Sequence, residues 1–450
     1  MRTNIPRFMI SAPSSGSGKT TITCALLRAL MDRGLEPAAY KAGPDYIDPM
    51  FHGKVTGAES RNLDVYMLGE STCRALLAKN SLQKDVAVLE GVMGYYDGIG
   101  TAIDGSAYEL AKLTGTPVIL AIDVKGASLS LAALINGFRD FRKDSNIIGV
   151  ILNNTGSKGY LHYKKIIEKE CGLKVFGHMP KVDGCSFASR HLGLITADEI
   201  KNLQEIIGRL ASQADKTIDV EGILEAARKA PELCWEELET KYVGKVTIAV
   251  AKDNAFCFYY QDSLDLLRKM GANIIFFSPL SDKALPACQG LLLGGGYPEL
   301  YAEELARNQE MLQSIGRELS DGLPCIAECG GYMYLHRTFK DKEGRSWKWV
   351  GAIPGTVTMT EGLNHFGYMS LEALEDNVLT NRGGSIRAHE FHYSESDCEG
   401  NAYIAKKADG RDAWRCTYAT KSLHAGYPHM HLCGNPDFAA NFIRACRKRL

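Results

Sequence analysis

The 450-residue chain carries 52 Lys plus Arg against 53 Asp plus Glu, a formal charge of −1, with 45% hydrophobic and 23% charged residues. That composition excludes a disordered chain and predicts two or three folded domains. With no global positive field, neither nucleic acid nor an anionic membrane surface is expected as the main partner, and a small molecule is.

The 13 cysteines are scattered, odd in number and without a C-x-x-C pair, so neither a disulfide framework nor a zinc knuckle is expected. Met1–Pro6 leads straight into a strand-like run without an apolar signal core, and no apolar run approaches the ~20 residues that span a bilayer. A reducing, cytoplasmic location is the expectation. The 45 glycines suggest many tight turns and close backbone approaches to ligands.

Short apolar runs alternate with helical patterns from the start: Phe8–Ile10, Val86–Leu89, Pro117–Ile122, Ile147–Leu152 and Lys174–Phe176. Near-continuous hydrophobicity of this kind suits parallel strands covered on both faces. From Thr196 to Lys241 the pattern is helical and charged, which predicts a connector. A second series begins at Val246–Ala251 and continues with Ile274–Phe277, Gly290–Leu293 and Pro324–Ala327. After Trp347 shorter alternating strands are expected, then a closing helix from about Pro436 to Arg449. The predicted boundaries are 1–195, a helical connector over 196–243, and 244–450.

Residues Ser11–Thr20 stand between the first strand and a helix, the position of a phosphate loop. Ser15, Gly16, Ser17 and Gly18 would turn backbone N–H groups toward phosphate oxygens. Lys19 would reach the β/γ-phosphates, Thr20 would ligate Mg²⁺, and Thr21 would follow them in the nucleotide site. Pro13 stands where the strict G-x-x-x-x-G-K-[ST] pattern has its first Gly. Further magnesium ligands are expected at neighbouring strand ends, where Asp48 and Glu90 lie. Asp45, Tyr46 and Asp97 are candidates for the substrate, with turn stabilisation the alternative for the two carboxylates. Asn153 closes another strand, where it either reads a base or stabilises the turn.

In the second half, Gly294–Glu299 follows a strand, and Pro324–Met333 reads strand, Cys, paired Gly, helix. This has the form of a nucleophile elbow, predicting an exposed Cys329 whose thiolate is favoured by the helix N-terminus. Backbone N–H groups of Gly295 and Gly330 would hold the oxyanion. The base is expected in Tyr427–His431, as His429 or His431. No Glu occupies the position two residues after His429, so the third member of a triad is open. His389, Glu390 and His392 form another polar cluster, read as a structural or substrate-contacting strand in preference to a metal site.

Taken in order, A-P-S-S-G-S-G-K-T, K-A-G-P-D-Y-I-D-P, E-G-V-M-G-Y-Y-D-G, S-R-H-L-G-L at Ser189–Leu194, G-G-G-Y-P-E, C-G-G-Y-M and H-E-F-H-Y-S resemble the cobyrinate a,c-diamide synthase family over essentially the whole chain. Ala388 stands where that family usually has Gly, and Pro428 precedes the histidine pair. The resemblance implies an α/β fold: an N-terminal dethiobiotin synthetase-like phosphate-loop domain and a C-terminal triad glutamine amidotransferase domain. It implies ATP- and glutamine-dependent amidation of the a and c carboxylates of cobyrinate, with Mg²⁺, through acyl phosphates. Nickel sirohydrochlorin, on the path to coenzyme F430, is the alternative ring. A homodimer stays open. Ammonia released from glutamine would mostly be protonated in water, so a sheltered path is implied. A nucleotide-dependent partitioning protein would leave Cys329 and its glycines unused, and a free-standing glutaminase would be indifferent to any tetrapyrrole.

Overall fold

The computed structural model describes residues 1–449 apart from 186, 188, 191, 192 and 195. The chain divides into two units, Met1–Leu238 and Glu239–Leu450.

In the first unit the apolar runs become β1 (Arg7–Ser11), β2 (Pro37–Ala42), β3 (Arg61–Leu63), β4 (Val86–Glu90), β5 (Val118–Asp123), β6 (Ile147–Asn153) and β7 (Lys174–Met179). They form one sheet in the order β3-β2-β4-β1-β5-β6-β7, parallel at every pairing. All five residues of β1 and of β4 are buried, as two-sided coverage requires. The order reverses beside β1, so the loop after β1 opens at a topological switch point, where ligands bind in such sheets. Helix α1 (Lys19–Asp32) follows that loop, and α2 (Ile47–Thr56) follows β2.

The segment expected as a connector is helical over α3 (Leu203–Thr217) and α4 (Val220–Arg228), and both helices pack within the first unit, α3 against α1. Arg7 helps bind this segment to the sheet. Fully buried on β1, it donates to the carbonyls of Thr114, Ile5 and Pro231, and burial lowers its pKa to about 10. Ser189–Arg190 and Gly193–Leu194 pair as a small antiparallel ribbon; His191 and Leu192 of the S-R-H-L-G-L motif lie outside the described residues.

The second unit holds β8 (Val246–Ala251), β9 (Ala272–Phe277), β10 (Gly290–Leu293) and β11 (Cys325–Glu328), followed by the short helix α5 (Gly330–Tyr334). The texture after Trp347 is not uniformly short: β12 (Ile353–Ala373) has 21 residues and pairs antiparallel with β13 (Ser385–Ser396). Register shifts between Met359, Asn364 and Gly367 interrupt the alternation that would reveal so long a strand in the sequence. After these come β14 (Leu423–Gly426), β15 (His429–Met430) and helix α6 (Pro436–Arg447). One sheet runs β9-β8-β10-β11-β14 in parallel; the other brings β15 beside β13. Ala249, Leu291, Leu293, Cys325 and Ala327 lie in a buried core beneath Cys329.

Candidate active sites

Between β1 and α1 the chain turns through Gly16 (φ 77°) and Gly18 (φ 92°), left-handed conformations that favour glycine. Gly18 is the N-cap residue of α1 and offers no capping side chain, so the free N–H groups of the helix start face the loop. The loop borders a cleft of about 800 Å³. Ser15, Gly16, Gly18, Lys19, Thr20, Thr21 and Asn153 of the expected nucleotide residues line it, with Asp45, Asp48 and Glu90. Ser17 is buried instead and donates to the carbonyl of Ser14 at 3.0 Å. Asn153 braces the loop, donating from Nδ2 to the Ser17 carbonyl at 2.9 Å. Lys19 donates to the carbonyls of Ser14 (3.1 Å) and Met93 (2.6 Å), and burial, followed by the charge of Lys41, lowers its pKa to about 8.

Beneath Lys19 lies a buried cluster. The Thr20 hydroxyl is 2.8 Å from Glu90 Oε1 and 3.3 Å from Asp48 Oδ1. Lys41 forms ion pairs with Asp48 and, at 2.9 Å, with Glu90. His52 Nε2 is 2.7 Å from Glu90 Oε2, and its Nδ1 is 3.2 Å from the Ser60 hydroxyl, which donates to the Ala39 carbonyl. Burial alone would raise the Glu90 carboxyl, but Lys41 and His52 hold it far below the usual carboxylate range. Burial and the neighbouring Asp45 push Asp48 up. Among the described residues no group of three His, Cys, Asp or Glu is arranged to hold a metal. The donor set here is one hydroxyl and two carboxylates, hard oxygens of the kind Mg²⁺ takes alongside phosphate and water, so the residues fit that ion.

The candidate substrate residues divide. Asp45 lines the cleft and also caps α2, its Oδ1 accepting from the N–H groups of Ile47 (2.7 Å) and Asp48 (3.2 Å). Asp97 accepts from Gly94 N–H at 2.9 Å and, like Tyr46 at the N-cap of α2, is not among the cleft-lining residues. His52 was not legible as a site residue. Its only sequence signal is its place one helical turn after Asp48 on α2.

In the second unit Cys329 joins β11 to α5 at φ 46°, ψ −104°, a strained conformation for a residue with a side chain and the geometry of a nucleophile elbow. Its N–H donates to the Gly426 carbonyl at 2.8 Å, fixing the turn against β14. A Cβ on Gly330 would meet Pro298 at 2.9 Å and the Gly296 nitrogen at 3.2 Å, so the Gly294–Gly296 loop packs directly over the elbow. Within that loop Gly294 N–H donates to the Tyr259 hydroxyl, and the Gly295 carbonyl accepts from Cys257 and Phe258. The loop nitrogen that approaches the Gly330 turn is that of Gly296. Gly295 has a different effect: a Cβ there would lie 2.6 Å from His429 Cε1.

One expectation is corrected. Cys329 is not exposed; it is 8% accessible, and burial, with the negative charges of Glu299 and Glu390, drives its thiol pKa up. The helix dipole of a five-residue helix does not outweigh that desolvation.

The two histidines also differ in surroundings. His431 Nδ1 accepts from Cys433 N–H at 3.3 Å, capping the turn that follows, and its ring stacks on Tyr260. His429 is the one beside Gly295, with Nδ1 3.9 Å from Glu328 Oε2. Burial, followed by the charges of His389 and His392, lowers the pKa of His429 to about 3. Glu328, raised by burial to about 8, accepts from Met430 N–H at 3.0 Å. Sequence reading missed Glu328 because a triad carboxylate was sought after the histidine, not before the cysteine.

Residues 8–194 match the family model of the CobQ/CobB/MinD/ParA nucleotide binding domain, and residues 247–437 that of the CobB/CobQ-like glutamine amidotransferase domain. The chain is 40% identical over 443 residues to a cobyrinate a,c-diamide synthase of Caldanaerobacter subterraneus subsp. tengcongensis, covering 98% of each chain. It is 41% identical to one of Salmonella typhimurium, again over 98% of each, and 42% identical to one of Clostridium tetani over 96% of this chain and 98% of the relative. Among the described residues no helix is long and apolar enough to cross a membrane.

Proposed function

The chain belongs to the cobyrinate a,c-diamide synthase family, and on that premise we propose that it amidates the a and c carboxylates of cobyrinate, a cobalt corrinoid, using ATP and glutamine. The observation that carries this reading is the pairing, in one chain, of a phosphate loop backed by Asp48 and Glu90 with a cysteine elbow beside His429.

In the second unit His429 takes the Cys329 proton as the sulfur attacks the γ-amide carbon of glutamine. Backbone N–H groups of Gly330 and the Gly294–Gly296 loop hold the oxyanion; ammonia leaves, and water releases glutamate from the thioester. Glu328 is assigned as the carboxylate that orients His429, and His431 as a support of the following turn.

In the first unit Ser15–Thr21 and Lys19 orient the triphosphate so that a ring carboxylate attacks the γ-phosphorus in line, giving an acyl phosphate and ADP. Ammonia then attacks the acyl carbon and phosphate departs. Mg²⁺, held by Thr20, Asp48 and Glu90, would supply charge neutralisation at the phosphates. Asp45, with Tyr46 and Asp97 beyond it, is assigned to the ring substrate, and Lys41 attracts its carboxylate. The relatives' names favour the corrinoid over nickel sirohydrochlorin.

The test offers ATP, Mg²⁺ and glutamine with cobyrinate and with nickel sirohydrochlorin separately, followed by mass spectrometry. Two successive mass changes of the size that replaces a carboxyl OH by NH₂ are expected with cobyrinate; none with cobyrinate would sink the proposal. Cys329→Ala should lose glutamine use and keep ammonia-driven amidation, whereas Lys19→Ala should lose both.

A further inference from the structure

The buried face of β13 changes character along its length: Ile386 and Ala388 are followed by Glu390, His392 and Ser394, all buried. A polar row on an inward strand face requires internal partners. His392 Nδ1–H donates to the Ser394 carbonyl at 2.7 Å, its Nε2 lies 2.7 Å from Glu390 Oε1, and its ring lies flat on Tyr427 with centroids 3.6 Å apart. The Ser394 hydroxyl donates to the Tyr427 hydroxyl at 3.1 Å. A carbonyl only accepts, so Nδ1 carries a proton and the Nε2–Oε1 contact holds one more, shared between imidazole and carboxylate.

The second oxygen stands apart. Glu390 is 2% exposed, yet Oε2 has no hydrogen-bond partner among the described residues. A buried carboxylate oxygen left unmatched is costly, which marks it as an acceptor for something that arrives. Its surroundings indicate what. Tyr427, on which the His392 ring lies, is two residues before His429, and the hydroxyl of Ser394 on the same face reaches Met333 Sδ, in the helix that Cys329 opens, at 3.6 Å. The pair therefore adjoins the cysteine and histidine of the glutaminase site.

We infer that Glu390 Oε2 accepts a hydrogen bond from the α-ammonium group of glutamine while His392 holds Oε1, an assignment that rests on the glutaminase reading above. The glutamine carboxamide NH₂ is engaged at Cys329 as the reacting group, and the released ammonia must stay unprotonated to act as a nucleophile. A carboxylate–imidazole pair that already holds a proton would quench it. An ammonium group, a cationic donor, suits the oxygen better.

The test compares glutamine with glutaramate, which is glutamine without its α-amino group, on the full chain with ATP, Mg²⁺ and cobyrinate. The wild type should favour glutamine in kcat/KM by about tenfold or more, the size of a charge-assisted hydrogen bond. In Glu390→Gln the KM for glutamine should rise by about tenfold while glutaramate is unaffected, so the preference collapses. Unchanged ammonia-driven amidation and thermal unfolding would establish that the variant is folded. A wild-type preference near unity, or a preference retained in Glu390→Gln, would overturn the inference. So would a variant that cleaves glutamine normally but forms less amide per glutamine cleaved, which assigns the oxygen to ammonia. A wild type that cleaves neither amide, with ammonia-driven amidation intact, fails the glutaminase reading first.

Discussion

The Glu328 carboxylate, on the residue immediately before the Cys329 elbow, lies 3.9 Å from Nδ1 of His429. Its other oxygen is fixed by Met430 N–H, next to that histidine in the chain. The distance is longer than a hydrogen bond, and it has reason to shorten once His429 accepts the thiol proton and becomes a cation. Glu328→Gln keeps the volume and the acceptor for Met430 but cannot ionise opposite the His429 cation. The expected result is a fall in glutamine-dependent kcat of roughly 10–100-fold, little change in KM, and ammonia-driven turnover as in the wild type. The acid limb of the kcat–pH profile should also move, a response that a purely structural role does not produce.

Gly295→Ala tests the packing of the base. The added methyl would sit 2.6 Å from His429 Cε1, and since Gly295 is held by two hydrogen bonds to its carbonyl, the imidazole must give way. We expect glutamine use to fall by more than about tenfold, because an ångström of displacement at a reacting group has effects of this order or larger. Ammonia-driven amidation measured in the same preparation should be retained.

His52→Asn tests the support of the proposed metal ligand. The fully buried imidazole holds Glu90 Oε2 at 2.7 Å, and an asparagine does not reach it. Partners of this kind typically contribute 10–100-fold to metal affinity. The expected outcome is a rise of roughly that size in the half-saturating Mg²⁺ concentration of ATP turnover. Direct Mg²⁺ titration by calorimetry in the presence of a non-hydrolysable ATP analogue should give the same shift.

Acid should weaken the second unit. Burial lowers the pKa of His336 to about 4 and those of His424, His429 and His431 to about 3. Unfolded, each titrates near 6.5, so between about pH 6.5 and pH 4 the unfolded chain binds more protons and stability falls as pH falls. Glu328 has the opposite sign. Raised from 4.5 to about 8, it is protonated when folded and ionised when unfolded between about pH 4.5 and pH 8, so its contribution is lost as pH rises across that interval. Scanning calorimetry should record a decline in thermal midpoint on acidification below pH 6.5, and Glu328→Gln should flatten the decline on the alkaline side. A midpoint independent of pH from 6.5 to 4 would contradict this.

Sequence alone determined what depends on residue type and local spacing. Buried aliphatic runs ending in Gly, Asp or Asn specified two parallel α/β series, and Gly16–Thr20 specified a phosphate loop because only that spacing lets a helix start cradle an anion. Cys329 between β11 and the Gly330–Gly331 pair was legible for the same reason. Tertiary structure decided what depends on distance between remote segments. Pairing of β15 with β13 brought His429 beside Gly295 and left His431 to cap a turn. Packing of α2 against the sheet set His52 behind Glu90, and burial reversed the expected exposure of Cys329. Charge environment and side-chain reach are properties of three-dimensional neighbours, and no spacing along one chain encodes them.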